Sequence, residues 1–296
     1  MKLTAASQFR LSDRIDYNHV RLVSSMTLAA GCTAEHLHEN RPDMNEHSLS
    51  RREFTSGALT GMLSWSLLDL LVQGEAFSAE VQPEIAGWVR SVNSLAADVK
   101  EQRLSQVQWQ VKVEELFSRV APEDLLKLVR FEELTKNLKF VDKGARSLRP
   151  KLAEVEGLPE NLVFGRQIFA LKKNRSVVPH GHNNMATAFL VVKGDLHGRH
   201  YDRVEDQKEH VLIRPTIDRI FKPGESSSIS DYRDNIHWFK ATSQTAFIFN
   251  IHVLNVRPGS ALPTGRVYVD PNGEKTSGTV IRAPRIGYKQ AHELYG

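Results

Sequence analysis

The chain has 296 residues, 41% of them apolar and 25% charged, which is room for one large domain or two modest ones with a sizeable core. Its net charge of +4 comes without a long Lys/Arg block or a base-stacking aromatic pattern, so nucleic acid is set aside as a partner and the charge is read as a solvated surface. The one cysteine, Cys32, excludes an intrachain disulfide and any cysteine-ligated zinc or iron–sulfur site; a metal must be held by histidine and oxygen.

Residues 1–49 are polar and mixed, with Met26 and Met44 as alternative internal starts. Then come Ser50-Arg51-Arg52-Glu53-Phe54-Thr55, a Gly/Ala/Leu run from Ser56 to Val72, and Ala76-Phe77-Ser78-Ala79. Paired arginines, a short apolar region and small exit residues are the parts of a twin-arginine export signal, with cleavage after Ser78. On this reading residues 1–79 are a leader with its signal at 50–78. The twin-arginine machinery is then a partner, and the mature protein is periplasmic or exported. The alternative is a basic cap on a soluble amphipathic helix, which leaves the protein in the cytoplasm. Ser64, Ser66 and Asp69 make the run too polar for a stable membrane span.

Residues 80–140 carry a helical period. Ile85, Trp88, Val89, Val92 and Val99 recur on one face, and so do Trp109, Val113, Leu116 and Val120. Ser105 and Gln108 form a capping box for the second helix, and Pro122 with Glu123 and Asp124 opens a third that should run through Leu138. This layer should pack on the sheet that follows, and no catalytic constellation lies in it. Gly144, Pro150, Gly157 and Pro159 mark residues 141–161 as a linker.

From residue 162 to 296 the pattern is β. Short runs at Leu162–Leu171, Ala188–Val192, Leu196–Tyr201, His210–Ile213, Thr216–Phe221, Ile236–Ala241 and Ala246–Val256 alternate with Gly, Asn, Asp and Ser clusters. Such spacing predicts a mainly β, antiparallel sandwich or barrel able to enclose a small molecule.

The chemistry concentrates between Val178 and His252. In a strand, residues i and i+2 share a face, so His180 and His182 can both point into a barrel with only Gly181 between them. His237 opens a later strand after the turn-rich stretch Ser226–Asn235. Three neutral imidazoles bind Fe, Mn, Ni, Cu or Zn and leave coordination positions free, as a catalytic site requires. A histidine pair without metal is the alternative. His197, His200 and His210 are read as surface or structural. Arg166, Arg199 and Arg214 are candidates for holding a substrate carboxylate.

Leu162 to Val256 resembles the cupin superfamily, whose first motif runs His-x-His, then Glu, then Gly. His180, His182 and Gly194 match, while Thr187 stands in place of the Glu. The resemblance implies a cupin-type antiparallel β-barrel, the double-stranded β-helix, preceded here by an α-helical layer. A three-histidine site without the carboxylate resembles the thiol dioxygenase branch: cysteine dioxygenase, 2-aminoethanethiol dioxygenase and the plant cysteine oxidases. Asp234-Asn235-Ile236-His237 and the strand after it resemble the aminoethanethiol and plant enzymes more than cysteine dioxygenase itself. His252 falls where that family carries a histidine beside the metal site, and Leu254 replaces the Tyr that follows it there.

The resemblance therefore implies Fe(II), or another divalent metal, on His180, His182 and His237. It assigns His252 a catalytic part beside them, with a small thiol and O2 as substrates and a sulfinate as product. A metal cupin of another class (lyase, isomerase or non-thiol dioxygenase) and a non-catalytic, ligand-binding cupin are the alternatives.

Overall fold

Helices give way to strands near residue 140 in the computed structural model, which describes residues 84–296 apart from 262 and 277. The leader and its arginine pair lie outside the described residues. Helix α1 covers residues 84–100, and α2, Gln106–Phe117, begins at Ser105 with the capping box in place: the Gln108 N–H donates to Ser105 Oγ at 3.2 Å, and the Ser105 N–H donates to Gln108 Oε1 at 3.0 Å. The third predicted helix is broken into α3, Pro122–Leu128, and α4, Phe131–Thr135, because Arg130 takes a left-handed conformation with φ 51°. The Leu128 carbonyl accepts from the Ala153 N–H at 2.7 Å, in place of the Glu132 N–H that a continuous helix would send it.

Twelve strands follow in chain order: β1 (Arg146–Leu148), β2 (Gly165–Lys172), β3 (Ser176–Asn183), β4 (Met185–Lys193), β5 (Leu196–Asp206), β6 (His210–Phe221), β7 (Ser226–Ile229), β8 (Ile236–Ala241), β9 (Thr245–Leu254), β10 (Gly265–Tyr268), β11 (Glu274–Lys275) and β12 (Ile281–Pro284). Helix α5, Tyr288–Tyr295, closes the chain. Strands β10, β11 and β12 and helix α5 lie beyond the runs that the sequence reading placed, and three earlier elements also differ from it. The linker contains β1, which pairs with β2; the two runs His210–Ile213 and Thr216–Phe221 are one strand, β6; and the serine-rich start of the turn stretch is β7.

All pairings are antiparallel, in two sheets ordered β1-β2-β9-β4-β7 and β10-β3-β8-β5-β6-β12-β11. Between β2 and β9 the chain crosses from one sheet to the other at every step except the β5–β6 hairpin. The halves β2-β9-β4-β7 and β3-β8-β5-β6 are thus the double Greek key of a jelly roll, and the fold is the cupin-type double-stranded β-helix preceded by helices.

Period-2 alternation sorts the side chains. Along β9, Phe247, Phe249, Ile251 and Val253 face outward into the core shared with Trp88, Trp109, Phe117 and Leu125 of the helices. Ala246 and Ile248 face inward, where they meet Val177, Phe189, Leu196, Phe221 and Phe239 between the sheets. This inner cluster plugs one part of the barrel, and the inward positions that continue β9, Asn250 and His252, line a cavity instead. On the other sheet, Val269, Ile281 and Ala283 of the C-terminal segment pack with Tyr201, Ile213 and Ile236.

Candidate metal centre

His180 and His182 reach the interior through a correction in strand parity. Val177 already faces the inner core, so His180 could not do so in an unbroken strand; the β3–β8 register shifts between Val177 and His180. Pro179 lies in that interval and has no N–H to lose from the ladder. Gly181 faces the other way, where an added Cβ would sit 2.4 Å from Asn235 Oδ1 and 2.5 Å from Ile236 Cδ1. The close approach allowed by glycine lets Asn235 tie the segments together, its amide donating to the His182 carbonyl at 2.9 Å and to the Ser230 carbonyl at 2.7 Å.

His237 on β8 is the register partner of His180, and the three rings converge. Centroids lie 4.9 Å apart for His180 and His182, 4.4 Å for His180 and His237, and 5.2 Å for His182 and His237. One ring nitrogen from each falls within 4.8 Å of the others, the one such group of three among the described residues, and the residues are 5%, 4% and 1% exposed. His180 Nδ1 lies 2.7 Å from the Val178 carbonyl and His237 Nδ1 lies 3.2 Å from the Asn235 carbonyl. A carbonyl can only accept, so both Nδ1 atoms carry the proton and both Nε2 lone pairs are free. His182 Nε2 is buried with no hydrogen-bond partner, and its Nδ1 lies against Met185 Sδ.

Burial holds all three imidazoles neutral. His180 and His182 are pushed well below the usual histidine range, first by desolvation and then by their histidine neighbours and Arg266; His237 is lowered to about 3 by desolvation, then by His200. Neutral rings with one nitrogen each in a common cluster are the donor set a divalent ion needs, and three of them suit a site that keeps positions open.

The cluster forms one wall of a cavity of about 550 Å³ whose lining also includes Thr187, Phe189, Met185, Asn250, His252, Arg166 and Arg266. Thr187 presents a hydroxyl where the cupin motif has a carboxylate; its Oγ1 is buried and unpartnered, as is Asn250 Oδ1 on the same lining. Buried polar atoms are seldom left unpaired, so three of them on one cavity, His182 Nε2 among them, mark it as a place for a ligand.

His252 stands on this lining but outside the cluster of three. In register it faces Thr187 on β4 and Gly165 on β2, and its ring lies over Gly165. The Asn250 amide reaches His252 Nδ1 at 3.5 Å, an arrangement that leaves the proton on Nε2, and burial, then Arg266, lowers the pKa of the ring. Leu254 also lines the cavity and is 40% exposed.

Of the three candidate arginines, only Arg166 borders the cavity, and it alternates with Ile168 and Ala170 on the helix-facing side of β2, where it also lines a second pocket beside Glu154, Glu156 and Glu160. Arg199 and Arg214 pair instead with Asp218 and Asp202, at 3.1 and 3.4 Å. His197 contacts Asp218, whereas His200 is fully buried and stacked on Phe221. Asn250, Arg149 and Arg266 are lining residues that sequence reasoning missed. Asn250 was within reach, since it is two residues before His252 on a recognised strand; Arg266 lies on β10, in a segment with no strand pattern of its own.

The fold is of the double-stranded β-helix type, and its three-histidine cluster could hold a metal ion. No family model matches the chain, and no curated protein does. Among solved structures it is similar to a protein with a double-stranded β-helix domain from Klebsiella pneumoniae, at 8% identity and a TM-score of 0.29 over 41% of this chain and 87% of that one. It is similar to a cupin superfamily protein from Desulfitobacterium hafniense at 13% identity and a TM-score of 0.27, over 41% and 87% of the two chains. It is also similar to procruciferin, an 11S globulin from Brassica napus, at 16% identity and a TM-score of 0.27; the match covers 36% of this chain and spans 22% of the globulin. Likenesses of this size say nothing about activity. Among the described residues, no helix is long and apolar enough to cross a membrane.

Proposed function

We propose that this protein is an Fe(II) thiol dioxygenase that converts a small thiol to its sulfinate, and that it is exported by the twin-arginine route. The observation that carries the reaction is the neutral donor set: three buried imidazoles with Thr187, not a carboxylate, beside them. Divalent iron held by His180, His182 and His237 would supply a Lewis-acidic, redox-active centre whose full +2 charge favours a thiolate ligand and O2.

The conversion of thiolate and O2 to sulfinate is balanced without an external reductant. Both oxygen atoms end on sulfur, which loses four electrons, and O2 gains them.

Residues of the chain do the rest. Phe169, Phe189, Val177 and Met185 supply apolar wall that limits water around the sulfur end. His252, held by Asn250 and kept neutral by burial, presents a polar N–H to the cavity and is the group placed to hydrogen-bond substrate or water. Export as a folded protein is consistent with loading the metal in the cytoplasm before crossing.

The test is metal analysis of protein purified with and without air, followed by oxygen uptake and product mass spectrometry across a thiol panel. One iron per chain with thiol-dependent uptake and a mass gain of two oxygens is expected. Iron-replete protein that consumes no oxygen with any thiol would overturn the proposal in favour of another metal-cupin chemistry.

A further inference from the structure

We infer that Met185 is an oxidation site built into the metal centre: its thioether holds the His182 ring in place, and a peroxide that converts it to the sulfoxide loosens the metal. This rests on the metal assignment above and not on the thiol chemistry. Each of the three clustered rings has its Nδ1 against an acceptor. For His180 it is the Val178 carbonyl at 2.7 Å and for His237 the Asn235 carbonyl at 3.2 Å, whereas for His182 it is Met185 Sδ. A thioether carries no proton, so like a carbonyl it can only accept, which keeps the proton on His182 Nδ1 and leaves the buried, unpartnered Nε2 as the donor atom. Two of the three acceptors are inert backbone; the third can be oxidised.

The turn from β3 to β4 fixes where that sulfur stands. Asn184 takes a left-handed conformation with φ 54° and is held on three sides: its N–H donates to Asp231 Oδ1 at 2.9 Å, its carbonyl accepts from the Asn255 N–H at 3.0 Å, and its Oδ1 accepts from the Arg257 N–H at 2.7 Å. Met185 opens β4 from this anchor, half-buried, and lines the same cavity as His182, so a small oxidant that enters meets this side chain. The sequence isolates it as well. The other methionines are Met1, Met26, Met44 and Met62 and the one cysteine is Cys32, so cleavage after Ser78 would leave Met185 as the only sulfur atom of the mature chain. In the oxidation an S–O bond forms as the peroxide O–O bond breaks; sulfur gives up two electrons, and the second peroxide oxygen leaves as water with both peroxide protons. The sulfoxide is larger and polar. Sδ is already in contact with a ring that is 4% exposed, so an added oxygen has no room between them. Either His182 shifts, or Met185 swings into the cavity and leaves the Nδ1 proton buried without an acceptor; both misalign the His182 donor.

The experiment is zinc affinity, read by competition with a chelating dye on metal-free full-length protein before and after hydrogen peroxide, with peptide mass spectrometry to place each added oxygen. Once Met185 carries an oxygen, Zn(II) should bind about 10-fold or more weakly, and methionine sulfoxide reductase should restore the affinity. Met185→Leu, which fills the space without an acceptor, should start about 10-fold weaker and not respond to peroxide. Met185→Gln, whose amide oxygen can accept in the same place, should bind zinc like the parent and also ignore peroxide, although Met1, Met26, Met44, Met62 and Cys32 are still present. The absorption spectrum of Co(II) in the site should change with peroxide in the parent alone. Unchanged zinc affinity in parent protein oxidised at Met185, parent-like affinity in Met185→Leu, or a Met185 that peroxide leaves untouched would each overturn the inference while the metal reading stands. Failure of the unoxidised parent to bind zinc would overturn both.

Discussion

Gly165 offers a perturbation whose size can be worked out before it is made. It lies on β2 directly across from His252, and a Cβ placed there would be 2.2 Å from His252 Nε2, 2.6 Å from Cε1 and 2.9 Å from Cδ2. For Gly165→Ala to fit, the imidazole must retreat by about 1 Å to reach ordinary contact distance. Overpacking of this kind costs ~1–3 kcal/mol, and the loss of unfolded-state freedom returns ~0.4–1 kcal/mol, so a net destabilisation of about 0.5–2 kcal/mol is expected in urea. Because His252 is not one of the three clustered rings, metal content should be unchanged, whereas a misplacement of about 1 Å should slow thiol oxidation on the order of 100-fold. The decisive measurement is the double-mutant cycle with His252→Ala. With the ring gone, Gly165→Ala should cost no further turnover and should raise stability by ~0.4–1 kcal/mol. An equal loss of turnover or stability in the His252→Ala background would refute the idea that Gly165 acts by making room for that ring.

His180→Ala, His182→Ala and His237→Ala should each lose most of one bound equivalent of divalent metal in equilibrium dialysis, and Thr187→Ala should keep it; full occupancy in His237→Ala would move the site elsewhere. His200 is fully buried, and desolvation, then Arg219 and Arg233, lower it from 6.5 to about 3. A histidine depressed in the folded state contributes stability above its unfolded pKa and loses it as pH falls, by about 1.4 kcal/mol per unit across that window. In metal-free protein taken from about pH 7 to about pH 4.5, His200→Leu should therefore lose about 2–3 kcal/mol less than the parent in urea, and identical losses would show that His200 is not the group. Replacing both Arg51 and Arg52 by Lys should leave unprocessed precursor in the cytoplasm. Finding the parent chain intact and solely in the cytoplasm of its native host would end the export reading.

What could be read from the chain alone was whatever local pattern decides. The capping box at Ser105 and Gln108, the β-rich run at Ala246–Val256 and the spacing of His180 and His182 depend on near neighbours in the chain, and the structure has all three. The elements that were missed depend on partners far along the chain. Polar Ser226–Ser228 becomes a strand because Ser226, Ser227 and Ser228 pair with Leu190, Phe189 and Ala188 of β4. Arg130 breaks a helix in which no glycine or proline signals a stop, and the carbonyl that a continuous helix would need goes to Ala153. Arg266 enters the cavity because Gly265–Tyr268 adds to the edge of β3, a pairing that hydrophobic periodicity in a four-residue segment cannot announce. The pattern of the site's histidines was local, whereas its charge was set by long-range pairing.

The helical layer had no chemistry of its own in the sequence, and its polar residues explain what it contributes. Trp109, Val113 and Phe117 are fully buried and dock α2 on the outer face of the first sheet. On the same helix two glutamines, Gln106 and Gln110, are also buried and reach the segment leading to His237. Gln110 donates to the Ser228 carbonyl at 3.0 Å and accepts from Ser230 Oγ at 2.7 Å, while Gln106 accepts from the Asp231 N–H at 2.9 Å and donates to Asp231 Oδ2 at 3.1 Å. Asp231 in turn accepts from the Asn184 N–H at 2.9 Å, just past the end of β3, and Ser230 and His182 share the Asn235 amide. Buried side-chain amides are costly unless satisfied, so this network holds only when α2, the segment from Ser228 to Asn235 and the end of β3 are in register together. Those are the segments that carry His182 and deliver His237. The apolar face of α2 therefore supplies adhesion to the sheet, and its two glutamines tie the segment before His237 to the end of β3 that carries His182.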